Sequence, residues 1–271
     1  MPKIKEVLCR SILSQCGLQE FSYSINPYTG CEHRCAYCYA RFMGRYGHPK
    51  EEWGTFVDVK VNSPQVARKD LASNPPGGIF FSSVTDPYQP LERKYLLTQK
   101  ILEAIKDYGY PVSIFTKSSL VQRDLKLIAG IKDAEFWHSI SLLEERDRKV
   151  LEPNTSPVQE RLETLRQFSE SGIKACVFVG PIIPGITERD LPELFRRIAD
   201  SGVREVLADR LNIKCGNMQP IMKAIRESYP ELAGKYQDLF LRGGDSAYFQ
   251  NIKPEFERIA RENGLRVEFC F

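Results

Sequence analysis

The amino-acid sequence predicts an α/β protein built on a partial (β/α)6 TIM-type barrel with a C-terminal extension. Three observations carry that prediction. Short apolar runs rich in β-branched and aromatic residues alternate about six times with polar stretches of helical pattern. The runs turn polar, or carry Gly and Pro, at their C-terminal ends, where parallel α/β sheets place their ligands. At 271 residues and 42% hydrophobic composition, the chain can bury one large core.

The expected strands are VDVKV (57–61), GIFFSSV (78–84), PVSIFTK (111–117), EFWHSISLL (135–143), KACVFVGPII (174–183) and EVLADRLN (205–212), with LRVEFCF closing the chain. Bounded by Gly, Pro or Asp, they read as strands buried on both faces. Between them SPQVARKDLAS, TQKILEAIKDYG, VQRDLKLIAG, SPVQERLETLRQFSESG and TERDLPELFRRIADSG carry apolar residues at three- and four-residue spacing. Those are helix marks, with Ser63 and Ser156 as N-caps followed by proline. The expected division is an N-terminal segment (1–20), a barrel core (21–215) and a helical extension ending in a strand (216–271).

Composition excludes several classes. Lys and Arg number 38 against 35 Asp and Glu, a net charge of +3 that argues neither for nor against nucleic acid. Eight cysteines in a chain of this size fall far below a disulfide scaffold. The start lacks the apolar core and cleavage site of a secretory signal, and no run of about 18 apolar residues appears. The expectation is a soluble, cytoplasmic monomer without a membrane segment.

Chemistry concentrates in NPYTGCEHRCAYCYARFM, where Cys31, Cys35 and Cys38 are spaced C-x3-C-x2-C. An Fe–S cube is normally held by four cysteines, so three local ones leave one iron open to another ligand. The competing reading is zinc, which wants four closed ligands, usually in two pairs. No second C-x2-C pair exists in the chain, and His33 lies inside a tight loop. The three histidines, His33, His48 and His138, show no ligand spacing. Arg34, Arg41, Arg45 and Lys50 crowd the loop, either raising the potential of an anionic cluster or meeting an anionic substrate.

The cysteine triplet, with Tyr37 before its third member, resembles the radical S-adenosylmethionine (radical SAM) superfamily. SINPYTGCEHRCAYCYA, TDPYQPLE, TKSSLVQRD, SISLLEE…LEPNTSP…RL and PIIPGIT, in order from Ser24 to Thr187, resemble its spore photoproduct lyase-like, or DNA repair photolyase-like, branch. The resemblance implies a [4Fe–4S] cluster on Cys31, Cys35 and Cys38, with S-adenosylmethionine on the fourth iron. Reductive cleavage there gives a 5′-deoxyadenosyl radical that takes hydrogen from a substrate. It further implies a one-electron donor such as flavodoxin or ferredoxin. By family position Tyr37 and Tyr39 pack on the cofactor, Thr85 and Asp86 accept from its amine, and Lys117 meets its carboxylate. Ser141 lies against the ribose, and Gly180 and Pro181 bring backbone to the adenine. Arg161 either reaches the carboxylate or stays on an exposed face. The lyase carries a cysteine hydrogen donor where this chain has Ser83, and Cys215, after the sixth strand, is the expected replacement. A nucleic-acid base is the leading substrate class. A peptide or small metabolite is the alternative, and a non-catalytic zinc-bearing nucleic-acid-binding module is the alternative from another class.

Overall fold

The computed structural model describes residues 2–271. The chain opens with β1 (Lys3–Val7), β2 (Leu13–Gln15), β3 (Tyr23–Ile25) and β4 (Tyr28–Thr29), then passes through the cysteines into a 3-10 turn (Tyr39–Arg45). Next come β5 (Phe56–Lys60), α1 (Ser63–Ser73), β6 (Ile79–Phe81), α2 (Glu92–Tyr95), α3 (Leu97–Tyr108) and β7 (Val112–Thr116). They are followed by α4 (Leu125–Ala129), β8 (Glu135–Ser139), α5 (Glu145–Leu151), α6 (Val158–Glu170), β9 (Lys174–Ile182) and α7 (Leu191–Asp200). The last elements are β10 (Glu205–Arg210), α8 (Met218–Ser228), α9 (Ala233–Leu241), α10 (Asp245–Glu262) and β11 (Arg266–Phe269).

Eight strands form one sheet in the order β11-β10-β9-β8-β7-β6-β3-β2. All its neighbours are parallel except β2, which runs antiparallel to β3. β2 and β11 are its two edges, so the barrel is not closed. The final strand of the chain is therefore part of this sheet, paired in parallel with β10.

The two faces of the sheet differ because side chains alternate along each strand. Ile79, Phe81, Val112, Ile114, Phe136, Val177, Val179 and Val206 face the helices and are buried. Phe136 stacks on Phe168 of α6 at 3.9 Å; truncating such a phenylalanine costs about 3–5 kcal/mol. The opposite, concave face carries a half-buried aromatic row instead. Phe80 lies 4.9 Å from Phe115, which stacks on Trp137 at 5.2 Å and meets Phe178 edge-on at 5.6 Å.

Three local expectations are corrected. The run at 57–61 is a strand, β5, but in a separate sheet of order β1-β5-β4. Its Val57 and Val59 pack with Tyr28, Leu91 and Leu97, an apolar surface that composition cannot tell from a barrel wall. The first barrel strand is β3, just before the cysteines. Ser63 and Ser156 mark helix starts without capping them. Asn62 and Pro157 hold the cap positions, and Ser156 Oγ accepts instead from Ser119 N at 2.8 Å. The helix expected over 121–130 begins as a 3-10 turn, Ser119–Asp124, before α4.

Among the described residues no helix is long and apolar enough to cross a membrane.

Candidate metal and cofactor site

The three cysteines follow β3 at the C-terminal mouth of the open barrel. Cys31 and Cys35 are buried, Cys38 is half-buried, and none is in a disulfide. Distant parts of the chain pin this segment through hydrogen bonds. Glu32 N donates to Gln89 Oε1 at 3.0 Å, and Leu91 N donates to Glu32 Oε2 at 2.6 Å. Asn154 Nδ2 donates to Glu32 O at 2.8 Å, and Ala36 N to Leu151 O at 2.9 Å. From beyond β10, the buried Asn217 donates to Tyr37 O at 2.8 Å. The LEPNTSP stretch thus acts as a clamp on the cysteine segment.

Burial is the largest influence on all three thiols and pushes each pKa up. Lys117 opposes this at Cys35 and Cys38, joined by Arg161 at the first and Arg41 at the second. Thiolates there need more positive charge than these side chains supply, and a metal cluster brings it.

His33 does not complete a zinc site. It is buried and turns away to Asp86, with Nδ1 3.3 Å from Oδ2. Asp86 also accepts from Thr116 Oγ1 at 2.7 Å, Lys117 N at 2.9 Å and Tyr88 N at 2.9 Å. Burial alone would raise its carboxyl, but His33, Lys117 N and Thr116 hold it well below the usual carboxylate range. A carboxylate has about four acceptor positions, and four donors fill them here.

At the expected amine contact, Thr85 and Asp86 both hold the protein's own hydrogen bonds. Thr85 Oγ1 donates to Gly30 O at 2.7 Å and accepts from Gln89 Nε2 at 3.0 Å. Both residues tie the cysteine segment to the end of β6, and Thr85 Oγ1 keeps one acceptor position open.

Other expected residues fall around the same mouth. Lys117, just past β7, has its Nζ 5.7 Å over the Tyr37 ring, and no ion pair involving it occurs among the described residues. The hydroxyls of Ser82 and Ser141 are buried without a partner. A lone cation and two orphaned hydroxyls at the C-terminal ends of β7, β6 and β8 fit a ligand carrying a carboxylate and hydroxyls. The residues present therefore fit both an Fe–S cluster and S-adenosylmethionine.

Tyr37 is buried, and its hydroxyl donates to Glu152, so it braces the site while one ring face meets Lys117. Arg161 is not on an exposed face: it is buried and paired with Glu152 at 2.7 Å. Tyr39 is 45% exposed; its hydroxyl donates to Ser83 O, and Lys214 Nζ lies 5.4 Å over its ring. Ser83 Oγ accepts from Asn26 Nδ2 at 3.1 Å. Cys215 is exposed, on a turn with φ 57° next to Lys214. Pro181 lies in β9 beside Gly180. A Cβ at Gly180 would come within 2.1 Å of the Phe178 ring, so the glycine makes room for Phe178. His138 is a buried core histidine; burial lowers its pKa to about 3, and its Nδ1 lies 2.7 Å from Thr116 O.

Glu152, Asn217, Ser82 and Trp53 were not singled out from sequence. Glu152 stood inside the LEPNTSP stretch, and Trp53 was one of only two tryptophans. Nothing local marked Asn217 or Ser82.

An open parallel β/α sheet with a thiol triplet at its C-terminal mouth defines a class of metal-thiolate barrel proteins. The sequence profile of the radical SAM superfamily matches residues 25–198, and the chain belongs to that superfamily. An uncharacterized protein of Mycobacterium tuberculosis is 30% identical over 269 residues, covering 95% of this chain and 77% of the relative. The radical SAM Nα-GlyT isomerase of Pseudomonas phage M6 is 27% identical over 258 residues, 90% of this chain and 52% of its own length. Spore photoproduct lyase complexed with dinucleoside spore photoproduct superposes with a TM-score of 0.62 at 22% identity, covering 84% of this chain and 66% of that one. A double mutant of the lyase, with bound S-adenosylmethionine and the same dinucleoside, gives a TM-score of 0.64 at 19% identity, covering 83% and 67%. The chain spans about two-thirds of the lyase and half of the phage isomerase. The fold is thus that of a partial radical SAM barrel, and the superfamily is one of enzymes that use an Fe–S cluster and S-adenosylmethionine.

Proposed function

We propose that the protein is a radical SAM enzyme that holds a [4Fe–4S] cluster on Cys31, Cys35 and Cys38, binds S-adenosylmethionine beside it, and removes hydrogen from a nucleic-acid base. The observation that carries the cofactor part is that Lys117 and the orphaned hydroxyls of Ser82 and Ser141 lie at the C-terminal ends of β7, β6 and β8, the same mouth that carries the thiols. When bound, the cluster and S-adenosylmethionine supply one-electron cleavage chemistry, driven by a donor such as flavodoxin or ferredoxin.

The chain's own residues bind, orient and shield. Lys117 meets the carboxylate of the cofactor, and Ser82 and Ser141 satisfy its polar groups. Asp86, Glu152 and Asn217 fix the cysteine segment so that the thiol positions do not drift. The aromatic row below the mouth keeps bulk water from entering through the barrel.

A base substrate is favoured by the rim. Tyr39 is exposed beside Lys214, and an aromatic face next to a cation suits a stacked base with its phosphate. The dinucleoside bound by the lyase of similar fold points the same way. Cys215, exposed on the neighbouring turn, is the proposed donor that returns hydrogen to a substrate radical. The test is anaerobic turnover with dithionite, followed by mass spectrometry on oligonucleotide, peptide and metabolite pools. Formation of 5′-deoxyadenosine with a changed oligonucleotide supports the reading; a product from the peptide or metabolite pools alone overturns the base assignment.

A further inference from the structure

Trp53 lies on the loop between the 3-10 turn and β5, 4% exposed. It packs with Cys31, Ala40 and Phe56 in a small apolar cluster that also contacts Cys38, Met43 and Val84. Its ring meets Phe56 edge-on at 6.0 Å. The next residue, Gly54, has φ 88°, and a Cβ there would come within 2.4 Å of Arg34 Cγ. Only glycine lets this loop close on the cysteine segment, and the closure delivers the indole to the cluster site.

An indole N–H can only donate. Here Nε1 is buried and makes no hydrogen bond of ordinary distance and angle. Leaving such a donor unsatisfied costs about 1–3 kcal/mol. Cys38 packs against the same cluster, and the indole lowers its thiol pKa as a hydrogen-bond donor would, against the larger opposing effect of burial. A neutral thiol is a weak acceptor, whereas a metal-bound thiolate is a strong one.

We propose that Trp53 donates an Nε1–H···Sγ hydrogen bond to the Cys38 thiolate of the bound cluster and thereby raises the cluster's reduction potential. The inference rests on the cluster assignment made under the proposed function. The sign follows from charge: reduction adds an electron to an already anionic cluster, so a donor at sulfur stabilises the reduced state more. Arg41, whose Nη2 donates to Cys35 O at 3.3 Å, adds positive charge on the same side.

Trp53→Phe keeps the ring and removes the donor. The readout is a potentiometric titration of the reconstituted protein followed by electron paramagnetic resonance, without S-adenosylmethionine or substrate. At fixed potential the reduced-to-oxidised ratio should fall about tenfold, equivalent to about 59 mV for one electron. A second readout needs no variant: isotope-labelled indole nitrogen should couple to the reduced cluster in pulsed resonance spectra of the wild type. The chain's other tryptophan, Trp137, is engaged with Glu135 Oε2 at 3.1 Å, so Trp53→Phe assigns the coupling. An unchanged midpoint with iron fully loaded, or no indole coupling in the wild type, overturns the proposal while leaving the cluster assignment intact. A wild type that takes up no cluster overturns both.

Discussion

Replacing Glu152 by Gln should destabilise the protein by about 3 kcal/mol, and by Ala nearer 5 kcal/mol, because it strands a buried cation. Glu152 and Arg161 have side chains 0% and 1% exposed, with Oε2 and Nη2 2.7 Å apart. Removing one partner of such a pair leaves the other charge uncompensated, at a cost of about 3–5 kcal/mol. Arg161 keeps Ser156 O at 2.8 Å, Ser139 O at 3.2 Å and Thr155 Oγ1 as acceptors, and an amide oxygen still receives one bond, which places Gln at the low end. For a chain of this size, 3 kcal/mol lowers the melting temperature by about 5 °C. The damage extends to the site, since Tyr37, between Cys35 and Cys38, loses the acceptor of its hydroxyl. Circular-dichroism melts, paired with iron analysis after reconstitution, measure both effects. The sign with pH follows from the shift. Burial alone would raise the Glu152 carboxyl, but Arg161, Lys117 and Tyr37 bring it below the usual glutamate value. Its contribution is therefore complete above about 4.5 and lost as pH falls through the depressed value, so wild type and Glu152→Gln should converge in acid. A Gln variant within 1 kcal/mol of wild type at neutral pH would refute the stranded-charge reasoning.

Lys117→Ala should leave iron loading intact and weaken S-adenosylmethionine binding ten- to a hundredfold, from the loss of a charge-assisted bond of about 1.5–3 kcal/mol. Calorimetry giving an unchanged dissociation constant would remove Lys117 from the cofactor site. Cys215→Ala should form 5′-deoxyadenosine normally but divert or stall substrate turnover; normal product by mass spectrometry would mean that no thiol on this loop returns hydrogen. His138, held neutral by burial down to about pH 3, should cost stability as pH falls from 6.5 toward 3, because the unfolded chain takes up the proton first. His138→Phe should flatten the acid limb of a denaturation series over that window, and an unchanged limb would show that other groups dominate it.

The parallel alternation was legible because barrel strands are apolar on both faces and each is followed by an amphipathic helix. The assignment of β5 to the barrel failed for the same reason: Val57 and Val59 show burial without showing which sheet buries them. The C-terminal strand was visible as an apolar run, but its pairing with β10 depends on chain reversal through three helices, which no local pattern encodes. The thiol triplet was legible because its ligands are local in sequence. Its supports were not. Glu152 reaches Tyr37 from 115 residues away and Asn217 reaches it from 180, separations that no local pattern encodes.

 Lys117 stood out because a lysine closing an apolar strand needs a partner. Ser82 and Trp53 gave no such signal, since a serine at a strand end and a buried tryptophan are common for reasons of packing alone.

The central claim is that Cys31, Cys35 and Cys38 hold a cluster with one iron left open for S-adenosylmethionine. The most direct measurement is electron paramagnetic resonance of the reduced, reconstituted protein before and after addition of S-adenosylmethionine, alongside iron analysis, for the wild type and for Cys31→Ala, Cys35→Ala and Cys38→Ala. The account predicts about four irons per chain in the wild type, a signal that changes when S-adenosylmethionine is added, and loss of both in each single variant. A full cluster that still responds to S-adenosylmethionine in any one variant, or a wild-type signal indifferent to it, would contradict the account.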